Sequence, residues 1–136
     1  MKTVFADTGY WIAILDPQDT LNPKAIQCSI SLTLATIYTS EMVLTEFLNH
    51  FAKRGKFLRQ AAVKFIDSLQ KTTDIAIVPQ TSELYQQALE LYAQRVDQAW
   101  SHTDCASFCI MREFNITEAL AYDKHFEQAG FIALLR

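Results

Sequence analysis

The sequence predicts an α/β fold built on a parallel sheet, and three observations point there. Apolar runs of strand length alternate with helical apolar patterns along the chain, the mark of βαβ units. Two of these runs close on an aspartate: Asp7 follows Val4-Phe5-Ala6, and Asp123 follows Leu120-Ala121-Tyr122. In a parallel sheet the C-terminal strand ends share one edge, the edge at which ligands bind. Glycine and proline number only three each, so no linker shows and residues 1–136 are expected to form one domain.

The strands are expected at Thr3 to Asp7, Thr36 to Thr39, Ile75 to Val78, Glu118 to Tyr122 and Phe131 to Leu135. A first helix starts near Tyr10. Val43, Leu44, Phe47, Leu48 and Phe51 recur at helical spacing and mark one buried face. Ala62, Phe65, Ile66 and Leu69 mark another. Leu84, Ala88, Leu91 and Tyr92 mark a third, in a segment from about Thr81 to Arg95. A further helix from about Thr103 to Phe114 is apolar nearly all round, as for a helix packed inside the domain, and a short one follows Asp123.

The chain has 136 residues, half of them hydrophobic and 20% charged, which suits a folded globular protein and excludes a disordered one. No apolar stretch approaches the ~20 residues that span a bilayer, and Met1-Lys2-Thr3 leads into a strand without a signal-peptide pattern. The three cysteines, Cys28, Cys105 and Cys109, are expected as small buried thiols in a reducing cytoplasm. The net charge of −3 argues against nucleic acid at first sight, but discounting four clustered carboxylates moves it to +1. Lys53, Arg54, Lys56 and Arg59 surround Gly55 as a compact basic run. It reads either as a solvated helix–helix turn or as a patch that grips phosphate.

Four acids are candidates for chemistry, each with a plainer alternative. Asp7, followed by Thr8-Gly9, is a costly choice for a core but suits a crevice at a strand end; it or Thr8 could also cap the next helix. Asp104 lies in Ser101-His102-Thr103-Asp104, which fits a capping box. Asp123 can face Asp7 across the sheet edge, or cap the short helix. Glu46 sits between Val43-Leu44 and Phe47-Leu48, with Asn49 and His50 one turn on; the alternative is an exposed polar face with Lys53.

Taken together, the order of these residues resembles the PIN-domain family, and especially the short VapC-type toxins of toxin–antitoxin pairs. The match rests on Val4-Phe5-Ala6-Asp7-Thr8, Thr45-Glu46-Phe47, Ser101-His102-Thr103-Asp104-Cys105, and the stretch from Ala119 through Asp123-Lys124-His125-Phe126 to Gly130-Phe131. The resemblance implies a three-layer α/β/α sandwich around a central parallel sheet of four to five strands. It also implies an acidic pocket for Mg²⁺ or Mn²⁺ and endonucleolytic cleavage of RNA. On that basis Asp7, Glu46, Asp104 and Asp123 are the metal-coordinating and catalytic acids, with Asp7 and Asp104 on the principal ion. Asp123 and Glu46 are then left to position water or a second ion. Thr8 and Ser107 match positions where a hydroxyl supports the pocket. A small antitoxin and a homodimer are the implied partners, with Tyr10, Trp11, Tyr38 and Trp100 as candidate docking surface. The cysteines beside and after Asp104 depart from the pattern but are conservative in size.

Four carboxylates held together without a cation should raise at least one pKa. The alternatives are a catalytically silent PIN-fold binding module and a stand-alone RNA-processing nuclease without antitoxin. An aspartyl-phosphate phosphatase would want a second acid where Gly9 stands. A receiver domain would want a lysine at the end of a late strand, and the late strand here ends in Asp123.

Overall fold

The computed structural model describes residues 2–136; Met1, where the expected domain begins, lies outside the described residues. The elements in chain order are β1 (Thr3–Ala6), α1 (Thr8–Leu15), α2 (Asn22–Ser31), β2 (Thr36–Ser40), α3 (Glu41–Phe51), α4 (Lys56–Lys71), β3 (Ile75–Val78), α5 (Ser82–Gln94), α6 (His102–Glu113), β4 (Glu118–Leu120), α7 (Lys124–Gln128) and β5 (Ile132–Ala133). The sheet is wholly parallel, in the order β3-β2-β1-β4-β5, with helices on both faces.

That order places β1 at the centre, with Phe5 level with Tyr38 on one side and Ala119 on the other. A central parallel strand is covered on both faces and so carries no polar alternation: Val4, Phe5 and Ala6 are all fully buried. From β1 the chain first winds outward through β2 and β3, then returns to start the other half at β4. The β1–β4 boundary is therefore the point at which strand order reverses, where an open α/β sheet leaves a crevice beyond its strand ends. Asp7 and Asp123 follow the two strands that flank it.

Buried polar contacts fix this edge. Thr39 at the end of β2 is fully buried; its hydroxyl donates to the Ala6 carbonyl (2.9 Å) and accepts from the Trp11 indole (3.0 Å). One side chain thus ties β2 to the last residue of β1 and to α1, one position before Asp7. Ser40 caps α3, its Oγ accepting from the Val43 amide at 3.1 Å. The cap sets the phase of α3 so that Val43, Leu44, Phe47 and Phe51 point inward. Phe47 stacks on Phe65 of α4 at 5.4 Å and meets Phe51 edge-on at 5.2 Å. On the other side Phe108 of α6 gathers Trp100, Phe126 and Phe131 around its ring. Gly55, at φ +93°, opens α4 in a backbone conformation that side chains resist.

Several boundaries and faces differ from expectation. Asp7, Ala121, Tyr122, Phe131, Leu134 and Leu135 lie outside the strands, which are shorter than the runs that mark them, and β2 extends to Ser40. The helix α2 escaped the reading: it buries only Ala25, and its one clear start signal is Pro23 in the first turn. Leu48 and Tyr92, expected on buried faces, are 39% and 52% exposed, since they sit on flanks of α3 and α5 that the other described residues leave open. Tyr10, Trp11 and Trp100 are buried, so they belong to the core and offer no docking surface. Cys105 is buried, Cys28 and Cys109 partly so, and all three are free thiols. Among the described residues no helix is long and apolar enough to cross a membrane.

Candidate active site

Beyond the C-terminal strand ends lies a cleft of about 680 Å³. Asp7, Glu46, Asp104 and Asp123 all line it, with Thr8, Ser101, Lys124, His125 and Arg136. The four acids come from the end of β1, the middle of α3, the first turn of α6 and the end of β4, so only the folded sheet brings them together.

Each plainer alternative has a definite answer. Asp7 occupies the cap position of α1, but its side chain makes no capping bond. Its backbone is fixed instead, the amide donating to the Leu120 carbonyl of β4 at 3.1 Å. Glu46 is partly buried while Asn49, His50 and Lys53 are exposed, so the glutamate is set apart from the polar face of α3. The Thr8 hydroxyl donates to Glu46 Oε1 at 2.7 Å, so the first residue of α1, next to Asp7, ties that acid's backbone to the second acid. Asp104 does form the capping box: its amide donates to Ser101 Oγ and its Oδ2 accepts from the Ser101 amide, both at 3.0 Å. Capping and cleft placement therefore coexist at Asp104. Asp123 also caps, its Oδ1 accepting from the His125 amide at 3.0 Å.

Other expected residues lie elsewhere. Ser107 is fully buried, and its hydroxyl donates to the Thr103 carbonyl one turn back, an i−4 bond within α6; it does not line the cleft. The basic run spans the α3–α4 turn and the start of α4, and none of its four side chains lines the cleft. Arg54 pairs with Asp16 at 3.3 Å and contacts His50, while Arg59 donates to the Ala52 carbonyl at 2.8 Å. Those two arginines hold the turn together; Lys53 and Lys56 are exposed.

His125 is the main residue the sequence reading missed. Its Nδ1 lies 3.0 Å from Asp104 Oδ2 and 3.2 Å from Asp123 Oδ1. The only signal was its place two residues after Asp123, which cannot show where a short helix will aim its ring. Arg136 was missed as well. It enters the cleft by donating to the Tyr122 carbonyl (2.9 Å) and pairing with Glu127 (3.0 Å).

The electrostatics favour a bound cation. Burial, with smaller contributions from the charges of Asp104, Glu46 and Asp123, raises the Asp7 carboxyl to about 7 against the opposing pull of the Thr8 amide. A proton there relieves repulsion that a divalent ion would relieve better. The donors are mostly carboxylate oxygens, which suit Mg²⁺ or Mn²⁺. Asp104, Asp123 and His125 bring ligand atoms within 4.8 Å of one another. Burial and the neighbouring Asp104 charge push the Cys105 thiol up to about 11, and Cys105 does not line the cleft. The set fits a hard divalent cation.

These features define a PIN domain, and the comparison with known families agrees: the PIN domain family model matches residues 4–132. The chain belongs to that family. It is 28% identical over 132 residues to the 23S rRNA-specific endonuclease VapC20 of Mycobacterium tuberculosis, covering 95% of both proteins. The crystal structure of M. tuberculosis VapC20, described as a sarcin-ricin loop cleaving toxin, superimposes with a TM-score of 0.83 at 27% identity. That match covers 95% of this chain and 96% of the other. FitAcB from Neisseria gonorrhoeae shares the fold, with a TM-score of 0.65 at 18% identity over 96% and 94% of the two chains.

The raised Asp7 pKa has a signed consequence. Between about pH 4 and pH 7 the folded carboxyl keeps a proton that the unfolded one has released. Metal-free protein should therefore lose stability as pH rises through that window, by up to about 4 kcal/mol from this group. In Asp7→Asn the loss should shrink, and the variant should be the more stable protein near pH 8. Thermal melts in EDTA from pH 4.5 to 8 check this, and parallel curves for the two proteins would contradict it.

Proposed function

We propose that the chain is a metal-dependent endoribonuclease that cleaves RNA phosphodiester bonds at the four-carboxylate cleft, and that it serves as the toxin of a toxin–antitoxin pair. The observation that carries this is the convergence of Asp7, Glu46, Asp104 and Asp123 in one cleft of a PIN domain. The likeness to VapC20 supports ribosomal RNA, and the sarcin-ricin loop in particular, as the first substrate to try.

Asp7, Asp104, Asp123 and Glu46 would hold Mg²⁺ or Mn²⁺, with Asp7 and Asp104 on the principal ion. When bound, the ion supplies charge neutralisation at the phosphoryl oxygens and acidifies water. The remaining work falls to the chain. Glu46, steadied by the Thr8 hydroxyl, orients the attacking water and accepts its proton. Lys124 and Arg136 place positive charge on the cleft wall, where it attracts the phosphodiester backbone. Arg136 is held for that task by Glu127 and the Tyr122 carbonyl. Ser101 keeps Asp104 in a single orientation through the capping box.

Partners follow from the same reading. A small antitoxin would lay an apolar segment into the groove of about 630 Å³ between α3 and α4, lined by Leu48, Ala52 and Val63. A homodimer would use α5, where Tyr85, Leu89 and Tyr92 are exposed along one helical face. The protein would act in the cytoplasm, where its RNA is. A monomer by light scattering at micromolar concentration would remove the dimer from this account.

Purified protein with Mn²⁺ should cut an RNA containing the sarcin-ricin loop, and EDTA should stop it. Asp7→Asn should lower the rate at least about 10³-fold while the variant stays folded. Cleavage that survives EDTA or the substitution would overturn the reading. Metal-induced stabilisation without any cleavage would favour the silent binding module.

The basic turn has a separate, outer role, in which Lys53 and Lys56 touch the RNA backbone while Arg54 and Arg59 hold the turn. Affinity should fall with salt, and Lys53→Ala with Lys56→Ala should reduce the slope of log K against log salt by about 1.4. An unchanged slope would leave the turn as a solvated connection.

A further inference from the structure

Resting on the proposed nuclease site, we propose that His125 is a nitrogen ligand of the metal, making this a mixed carboxylate–imidazole centre that favours Mn²⁺ over Mg²⁺. The ring is placed for it. His125 sits in the first turn of α7, whose next residue, Phe126, is fully buried against Phe108. Its side chain is 20% exposed, and its Nδ1 points at Asp104 and Asp123, two of the acids that line the cleft.

Two distances carry the argument. Nδ1 lies 3.0 Å from Asp104 Oδ2 and 3.2 Å from Asp123 Oδ1. Adjacent donors on an octahedral ion with bonds of about 2.1 Å are separated by about 3 Å. Nδ1 therefore already stands at the spacing of a neighbouring ligand from each carboxylate oxygen, and all three atoms lie within 4.8 Å of one another, brought together by the first turn of α6 and the start of α7. Hydrogen bonding explains the same distances while Nδ1 carries a proton, and that proton and a metal ion compete for one lone pair. With Nδ1 protonated, the imidazole N–H would donate to the two carboxylates; a bound ion would instead take the Nδ1 lone pair.

Ligand chemistry then sets the metal preference. Mg²⁺ is a hard ion that seeks oxygen and keeps its waters, whereas transition ions accept imidazole readily. A carboxylate-only site would leave the choice to the cell's supply. One nitrogen donor tilts it toward Mn²⁺. The Asp104–His125–Asp123 grouping would be the Mn²⁺-selective side of the cleft, with Asp7 and Glu46 completing it.

The test uses the full chain with Mn²⁺ or Mg²⁺ alone and reads binding, not turnover. Pulsed EPR of the Mn²⁺ complex should show modulation from a directly coordinated ¹⁴N, and His125→Asn should abolish it. Asn keeps an N–H donor near the Nδ1 position, so it preserves a mere tether but supplies no nitrogen lone pair. Calorimetry should show Mn²⁺ affinity falling about tenfold or more in His125→Asn, with Mg²⁺ affinity within about twofold of the parent. Bound Mn²⁺ without coordinated nitrogen in the parent would overturn the inference and leave the four-carboxylate site standing. An equal loss for both ions would reduce His125 to a tether and overturn it too. Failure of the folded parent to bind Mn²⁺ at all would instead sink the nuclease reading on which it rests.

Discussion

Burial of the Asp7 carboxyl at the end of an apolar strand, with three further acids beside it, is the constraint on which the rest of this structure depends. A fully apolar β1 delivers Asp7 to the sheet's switch point, where β4 delivers Asp123 alongside. Burial and the three neighbouring acids then raise the Asp7 carboxyl to about 7. Such a residue works against stability in the metal-free protein near neutral pH, and a fold keeps it only if something else is gained. A divalent cation bound beside the cluster would reverse the sign, favouring the charged form of the carboxyl that burial disfavours.

The scaffold holds these acids by contacts that do not use them up. The Leu120 carbonyl fixes the Asp7 backbone and leaves its side chain clear of capping. Thr39 ties β2 to Ala6 and Trp11, stiffening the approach to Asp7. Asp104 and Asp123 do serve as caps, but mainly to backbone amides, which orient a carboxylate while leaving it charged. Thr8 performs the same service for Glu46. Orientation by hydrogen bonds to the charged form is what lets such a cleft accept a cation without rebuilding itself.

How much of this could be read in advance depended on how far each feature reached along the chain. The parallel sheet was legible because β1, β2, β3 and β4 are short apolar runs separated by helical patterns, and Ile75–Val78 falls where the pattern put it. The four acids were legible through their order relative to those runs, and all four line one cleft. Features set by side-chain aim were not. Ser107 looked like a cleft hydroxyl, yet it turns back on its own helix. His125 gave no hint of its reach to Asp104, 21 positions away, because that contact depends on where β4 and α6 meet. Thr39 reads as an ordinary strand threonine; its relay exists only once α1 packs across β1 and β2. The helix α2 buries too little to announce itself.

The most direct test of the central claim is proton release on metal binding, measured by titration calorimetry in buffers of different ionisation enthalpy. At pH 6.5 most of the Asp7 population should hold its proton, so Mn²⁺ binding should expel most of one proton from the folded protein. Release should fade toward pH 8.5 and be largely lost in Asp7→Asn. Tight binding at pH 6.5 without proton release, or with the same release from Asp7→Asn, would contradict the account: the carboxylate cluster would then not be the place where the cation replaces a proton.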